Sequence, residues 1–164
     1  MADPTPTGKH REDVLHFLEE TFGSRHHGIF IDKGTSLLQT VDAVTAAEAS
    51  LRASDRTASI AAHVRHVIFY ATVLQTLLRG GQVGRLDWRE IWENDRPVTA
   101  AEWDELRAGL RREYENVRSL VTDEATWKRE DALGEFMAIA AHTAYHLGAI
   151  RQAIAVIRPR QARA

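Results

Sequence analysis

The sequence predicts an all-α protein built as a four-helix bundle. Three observations carry that prediction. Four segments place apolar residues at three- and four-residue intervals, no segment alternates with the two-residue period of a half-buried strand, and the stretches between hold helix caps and breakers. The length, 164 residues, suits one domain whose core needs no cross-links.

The elements follow in order. Residues 1–9, rich in proline and small polar residues, are expected to be disordered, with one domain over 10–158 and a basic tail over 159–164. REDVLHFLEETF (11–22) carries Val14, Leu15, Leu18 and Phe22 at helical spacing. GSRHHGIFIDKG (23–34) is glycine-punctuated and reads as a loop, and TSLLQTVDAV (35–44) as a short helix. TAAE at 45–48 and again at 99–102 matches the capping box. The second copy opens a helix carrying Trp103, Leu106, Leu110, Tyr114 and Val117 in register. Residues 57–79 form another long helix, stopped by Gly80-Gly81, and residues 130–157 form the last, stopped by Pro159. Between them, 82–98 is a long connection in which DWREIW makes one helical turn with Trp88 and Trp92 as packing anchors, and ENDRP (93–97) is a polar turn. The connections at 23–56 and 80–98 are too long for a ladder of hairpins, so at least one crossover is expected.

Composition excludes several function classes. With 21 basic and 23 acidic residues the formal net charge is −2, so no basic field attracts nucleic acid or a membrane surface. The chain has no cysteine, which excludes disulfides, thiolate ligands and a protein-borne thiol nucleophile. MADPTPTGKH has no apolar core of a signal peptide, and no run of about 18 apolar residues occurs. A cytoplasmic location is the expectation.

The chemistry lies in the histidines. In AHTAYHLGAIRQ (141–152), His142 and His146 stand one helical turn apart, on the side that also carries Ile139, Ile150, Ala153 and Ile157. On the 57–79 helix, Arg65, Thr72, Thr76 and Arg79 mark the wet face. At roughly 100° per residue, His63 falls near the middle of the dry face and His66 about 60° towards its flank. Spacing therefore prefers His63 as the inward residue, with His66 as the fallback. Several imidazoles in one core are hard to satisfy, since each unpaired buried polar group costs on the order of 1–3 kcal/mol. A divalent cation accepts the ring lone pairs, and three histidines leave coordination positions open. The pattern alone leaves two readings: a metal site, or histidines hydrogen-bonded inside a bundle. The Glu of H-E-x-x-H is missing, so a zincin-type protease is not supported. Glu135 lies about 10 Å along the helix from His142.

SIAAHVRHVIFY (59–70) followed by HTAYHLGAIRQ (142–152) resembles the DinB-like (DinB/YfiT-like) superfamily of metalloenzymes, and TSLLQTVDAVTAAEAS (35–50) and the tryptophan-bearing link extend the likeness over about residues 12–157. The resemblance implies an up-down-down-up bundle with a long crossover between the second and third helices. It implies a divalent metal, nickel or zinc first and iron or cobalt next, held at positions that correspond to His63, His142 and His146. It also implies a homodimer; Ile68 and Phe69, off the core stripe, are candidates either for contacts outside the bundle core or for packing against the 35–44 segment. One departure is Ala149, where members often carry glutamine.

The resemblance further implies a metal-dependent enzyme acting on a small molecule, of thiol S-transferase or hydrolase type, with a low-molecular-weight thiol as cosubstrate in the first case. Glu135 and Tyr145 are the acid–base candidates. The alternative is a non-catalytic, metal-stabilised helical dimer or interaction module with a stress-related role. His10, His16, His26 and His27 are expected on the exposed side or in the loop, and Trp88 and Trp92 either anchor the core or roof the metal.

Overall fold

The structure, a computed structural model, describes residues 6–23, 25 and 27–161. Of the disorder expected for residues 1–9, residues 1–5 lie outside the described residues, as do the solvated His26 and the end of the basic tail at 162–164, whereas residues 6–9 are not disordered but helical. Among the described residues the chain is helical throughout, with no strand: α1 (Pro6–Thr21), α2 (Leu37–Asp42), α3 (Ala46–Ala49), α4 (Ile60–Leu78), α5 (Glu90–Glu93), α6 (Ala100–Thr122), a 3-10 turn at Thr126–Lys128, and α7 (Ala132–Gln161).

Local chemistry sets most boundaries. Both TAAE sequences form the full capping box, Thr45 with Glu48 at the start of α3 and Thr99 with Glu102 at the start of α6. Ser36 and Ser59 cap α2 and α4 by accepting the backbone N–H of Gln39 and Ala62. The end of α4 is a Schellman turn: Gly80 N–H donates to Leu77 and Gly81 N–H to Thr76, with Gly80 in the left-handed region at φ +78°. Besides shifts of two or three residues at the starts of α4 and α7, two boundaries near prolines differ from the sequence expectation. The first helix is already formed at Pro6 rather than from near residue 11, and proline is tolerated in a first turn, where its missing N–H costs little. The last runs to Gln161, past Pro159, which withholds one hydrogen bond in the closing turn.

Each of α1 and α4 packs on both α6 and α7. The core between them is dense with large side chains, among them Leu18, Phe22, Ile60, Leu110, Phe136 and Ile139, all fully buried. Trp103 is buried as well and donates its indole N–H to Val44 at 2.8 Å, tying α6 to the segment after α2.

The loop 23–34 is folded round a buried carboxylate. Glu20, 1% exposed, accepts four backbone N–H groups: His27 at 2.7 Å, Ile29 at 3.0 Å, Phe30 at 2.6 Å and Ile31 at 3.0 Å. Burial pushes its pKa up, but the four donors outweigh burial and hold it at about 2. The polar turn expected at 93–97 is likewise anchored. The Asp95 side chain, 2% exposed, accepts from Ser59 N at 2.9 Å and Ser59 Oγ at 2.5 Å and pairs with Arg52 at 3.0 Å. That clasp joins the link before α6 to the start of α4.

Candidate metal centre

Four imidazoles meet between α4 and α7. His63 and His66 come from one side, His142 and His146 from the other. The i, i+4 spacing on α7 brings its two rings together one turn apart, centroids 4.5 Å from each other and planes at 62°. His146 is 3% exposed and sits centrally: its Nδ1 lies 2.9 Å from His63 Nδ1, and its Nε2 lies 3.1 Å from His142 Nε2. The His66 ring lies 5.0 Å from His142 and 4.9 Å from His146. One ring nitrogen from each of His66, His142 and His146 falls within 4.8 Å of the other two.

His66 faces the cluster as squarely as His63 does. It is the more enclosed of the pair, at 7% exposure, while His63 is half-buried. The flank position deduced from spacing is covered by Trp88 and Trp92, neither of which a helical wheel contains. Arg65, assigned to the wet face, is half-buried for the same reason: the 87–94 segment lies across this side of α4. Tyr70, one turn after His66, stacks on His142 with centroids 3.8 Å apart and planes 12° from parallel. The sequence reading passed over Tyr70. Its signal was the same four-residue spacing, from His66, that drew attention to His142 and His146.

The roof comes from the tryptophan-bearing link. Trp92 lies 4.6 Å from the His66 ring, 5.5 Å from His63 and 6.0 Å from His146, and Trp88 contacts His66, Phe69 and Tyr70. Trp92 is three residues before Asp95, and His63 is four after Ser59, so the Asp95–Ser59 clasp sets the roof over the histidines.

All four rings are held in the neutral form. Burial lowers the pKa of His146 to about 3, helped by His142, His63 and His66. Burial and the neighbouring His66 lower His142 to about 4. Burial lowers His66, and burial with His66 lowers His63 against the opposing pull of Asp95. Neutral imidazoles offer lone pairs, which is what a cation requires.

The group fits a divalent ion. Tetrahedral coordination at zinc–nitrogen distances brings ring nitrogens to about 3.4 Å from one another, so small ring rotations close the set His66, His142 and His146. Hydrogen bonds alone can satisfy His63, His146 and His142, with His146 donating through one nitrogen and accepting at the other. They do not satisfy His66, whose Nδ1 is buried without a partner.

The acid–base candidates lie outside the cluster's centre. Tyr145 is 72% exposed and presents its ring edge-on to His146 at 5.0 Å. No hydrogen bond or ion pair joins Glu135 to the histidines; its Oε2 is buried without a hydrogen-bond partner, and burial raises its pKa. Of the other histidines, His10 is exposed, and His27 is held rather than free, 2.8 Å from Glu19 and stacked on His16.

A family model described as the DinB superfamily matches residues 32–150. No curated protein and no solved structure matches the chain.

Proposed function

The chain belongs to the DinB superfamily, and from that premise we propose that it is a metal-dependent enzyme acting on a small molecule. In this reading the ion is held by His142 and His146 of α7 and by an α4 imidazole, His63 or His66. The observation that carries it is the convergence of four neutral imidazoles in which His66 Nδ1 is buried and unpartnered. When bound, such an ion supplies Lewis acidity, which serves hydrolysis and thiol transfer alike. The protein's own residues do the rest. Trp88, Trp92 and Tyr70 exclude water from one side of the rings. Tyr145, at the solvent edge of His146, is placed to exchange a proton with a substrate arriving there. With no cysteine in the chain, a thiol reaction takes its sulfur from a small-molecule cosubstrate. Nickel and zinc are the first choices for imidazole ligands, with iron and cobalt next.

The same reading takes the four long helices as an up-down-down-up bundle, with the connection from α4 to α6 as the crossover. It takes the cytoplasm as the compartment and a homodimer as the assembly. Met137 and Val156, exposed on α7, support the dimer. No helix among the described residues is long and apolar enough to cross a membrane.

The His63–His146–His142 chain of hydrogen bonds favours a second reading, a non-catalytic helical module whose histidines need no ion. Elemental analysis of the untagged protein separates the two. The metal reading expects about one ion per chain, lost in His146→Ala and reduced in whichever of His63→Ala and His66→Ala removes the α4 ligand. No metal in the wild type, even after reconstitution with nickel and zinc, would leave the second reading standing.

A further inference from the structure

On the far side of the 87–94 segment from the histidines, α4, that segment and α6 enclose a cleft of about 540 Å³. The volume lies in the range of small-molecule sites. Its floor is apolar, formed by Ile68, Phe69, Ile91 and Leu106. Arg65 stands in its wall with Nη1 buried and without a hydrogen-bond partner, and no described residue forms an ion pair with it. The other charges at the cleft are engaged or wet. Arg96 pairs with Glu102 at 2.7 Å, Asp87 accepts the Arg89 backbone N–H at 2.9 Å, and Glu90 is exposed to solvent. A half-buried guanidinium over an apolar floor is complemented by an anion carried on an apolar body. A planar carboxylate matches its fork of donors. A neutral apolar ligand would leave the Arg65 guanidinium without a counter-charge.

We propose that this cleft binds a small amphipathic carboxylate, with Arg65 as the anchor and Ile68, Phe69, Ile91 and Leu106 as the apolar seat. The site does not depend on the histidines or on any metal. Octanoate is the probe, titrated calorimetrically into the full-length protein with and without a chelator, beside its neutral isostere octanamide. The expected result is saturable one-site binding, equal in both buffers, with octanamide at least about tenfold weaker. Arg65→Met should lose about tenfold, and Arg65→Lys, which keeps the charge but not the fork, should recover only part of that loss. Methyl NMR of the wild type should show octanoate-dependent shifts at Ile68, Ile91 and Leu106, which decides the matter even if Arg65→Met fails to fold. Absence of binding at millimolar octanoate, octanamide binding as tightly, affinity unchanged in folded Arg65→Met, or shifts confined to other methyls would each overturn the proposal.

Discussion

Glu20 shows how much one residue organises. Its carboxylate takes the place of a strand or turn partner for four backbone donors between His27 and Ile31, and the loop after α1 has its shape because of it. A folded pKa of about 2 lies below the ordinary 4.5, so its stabilisation is fully present above about pH 4.5 and is lost as pH falls through about 2. Glu20→Gln should destabilise the fold by about 2 kcal/mol at pH 7, because its amide brings N–H groups against N–H groups. Urea titrations at pH 7 and pH 3 test this: the difference between wild type and variant should shrink at the lower pH. Gly23 is a second such point. A Cβ there would lie 2.7 Å from Tyr114 Oη and 3.0 Å from the Glu19 carbonyl oxygen. Gly23→Ala should therefore lower stability by about 1–3 kcal/mol, read as a shift of the urea midpoint at constant slope. Neither role was legible in EETFG, because both depend on groups that arrive from elsewhere.

At the scale of elements, most of the fold was legible. The two capping boxes, the glycine stop after α4 and the apolar registers of α4 and α6 all stand where the sequence puts them. Thr99→Ala should cost about 1 kcal/mol by freeing the Glu102 N–H, and Gly80→Ala a similar amount, since φ +78° strains any residue with a Cβ. Thermal unfolding of both variants would check these values. The extension of α1 back to Pro6 and of α7 past Pro159 was not legible, because proline is read as a helix boundary, whereas near a helix terminus its missing N–H and ring crowding are tolerated. The 3-10 turn at Thr126–Lys128 also carries no periodic signal, being a single turn long.

At the scale of the whole molecule, the link between α4 and α6 couples stability to the site. Asp95 fastens it to Ser59, and Trp88 and Trp92 then close over the imidazoles. Asp95→Ala should cost about 2–3 kcal/mol, since it strips a buried charge-assisted pair from the start of α4. It should also make the roof tryptophans more open to acrylamide quenching; unchanged quenching would mean that the roof stands without the clasp. The sequence by itself determined that the protein is helical, where most helices begin, and that His142 and His146 share one inward face, because caps and the 3.6-residue period act within one helical turn. Only the tertiary structure decided that His63 and His66 both reach those rings, that Tyr70 stacks on His142 and that Trp92 covers them. A helical wheel gives the direction of a side chain, whereas its burial depends on what another segment lays across it.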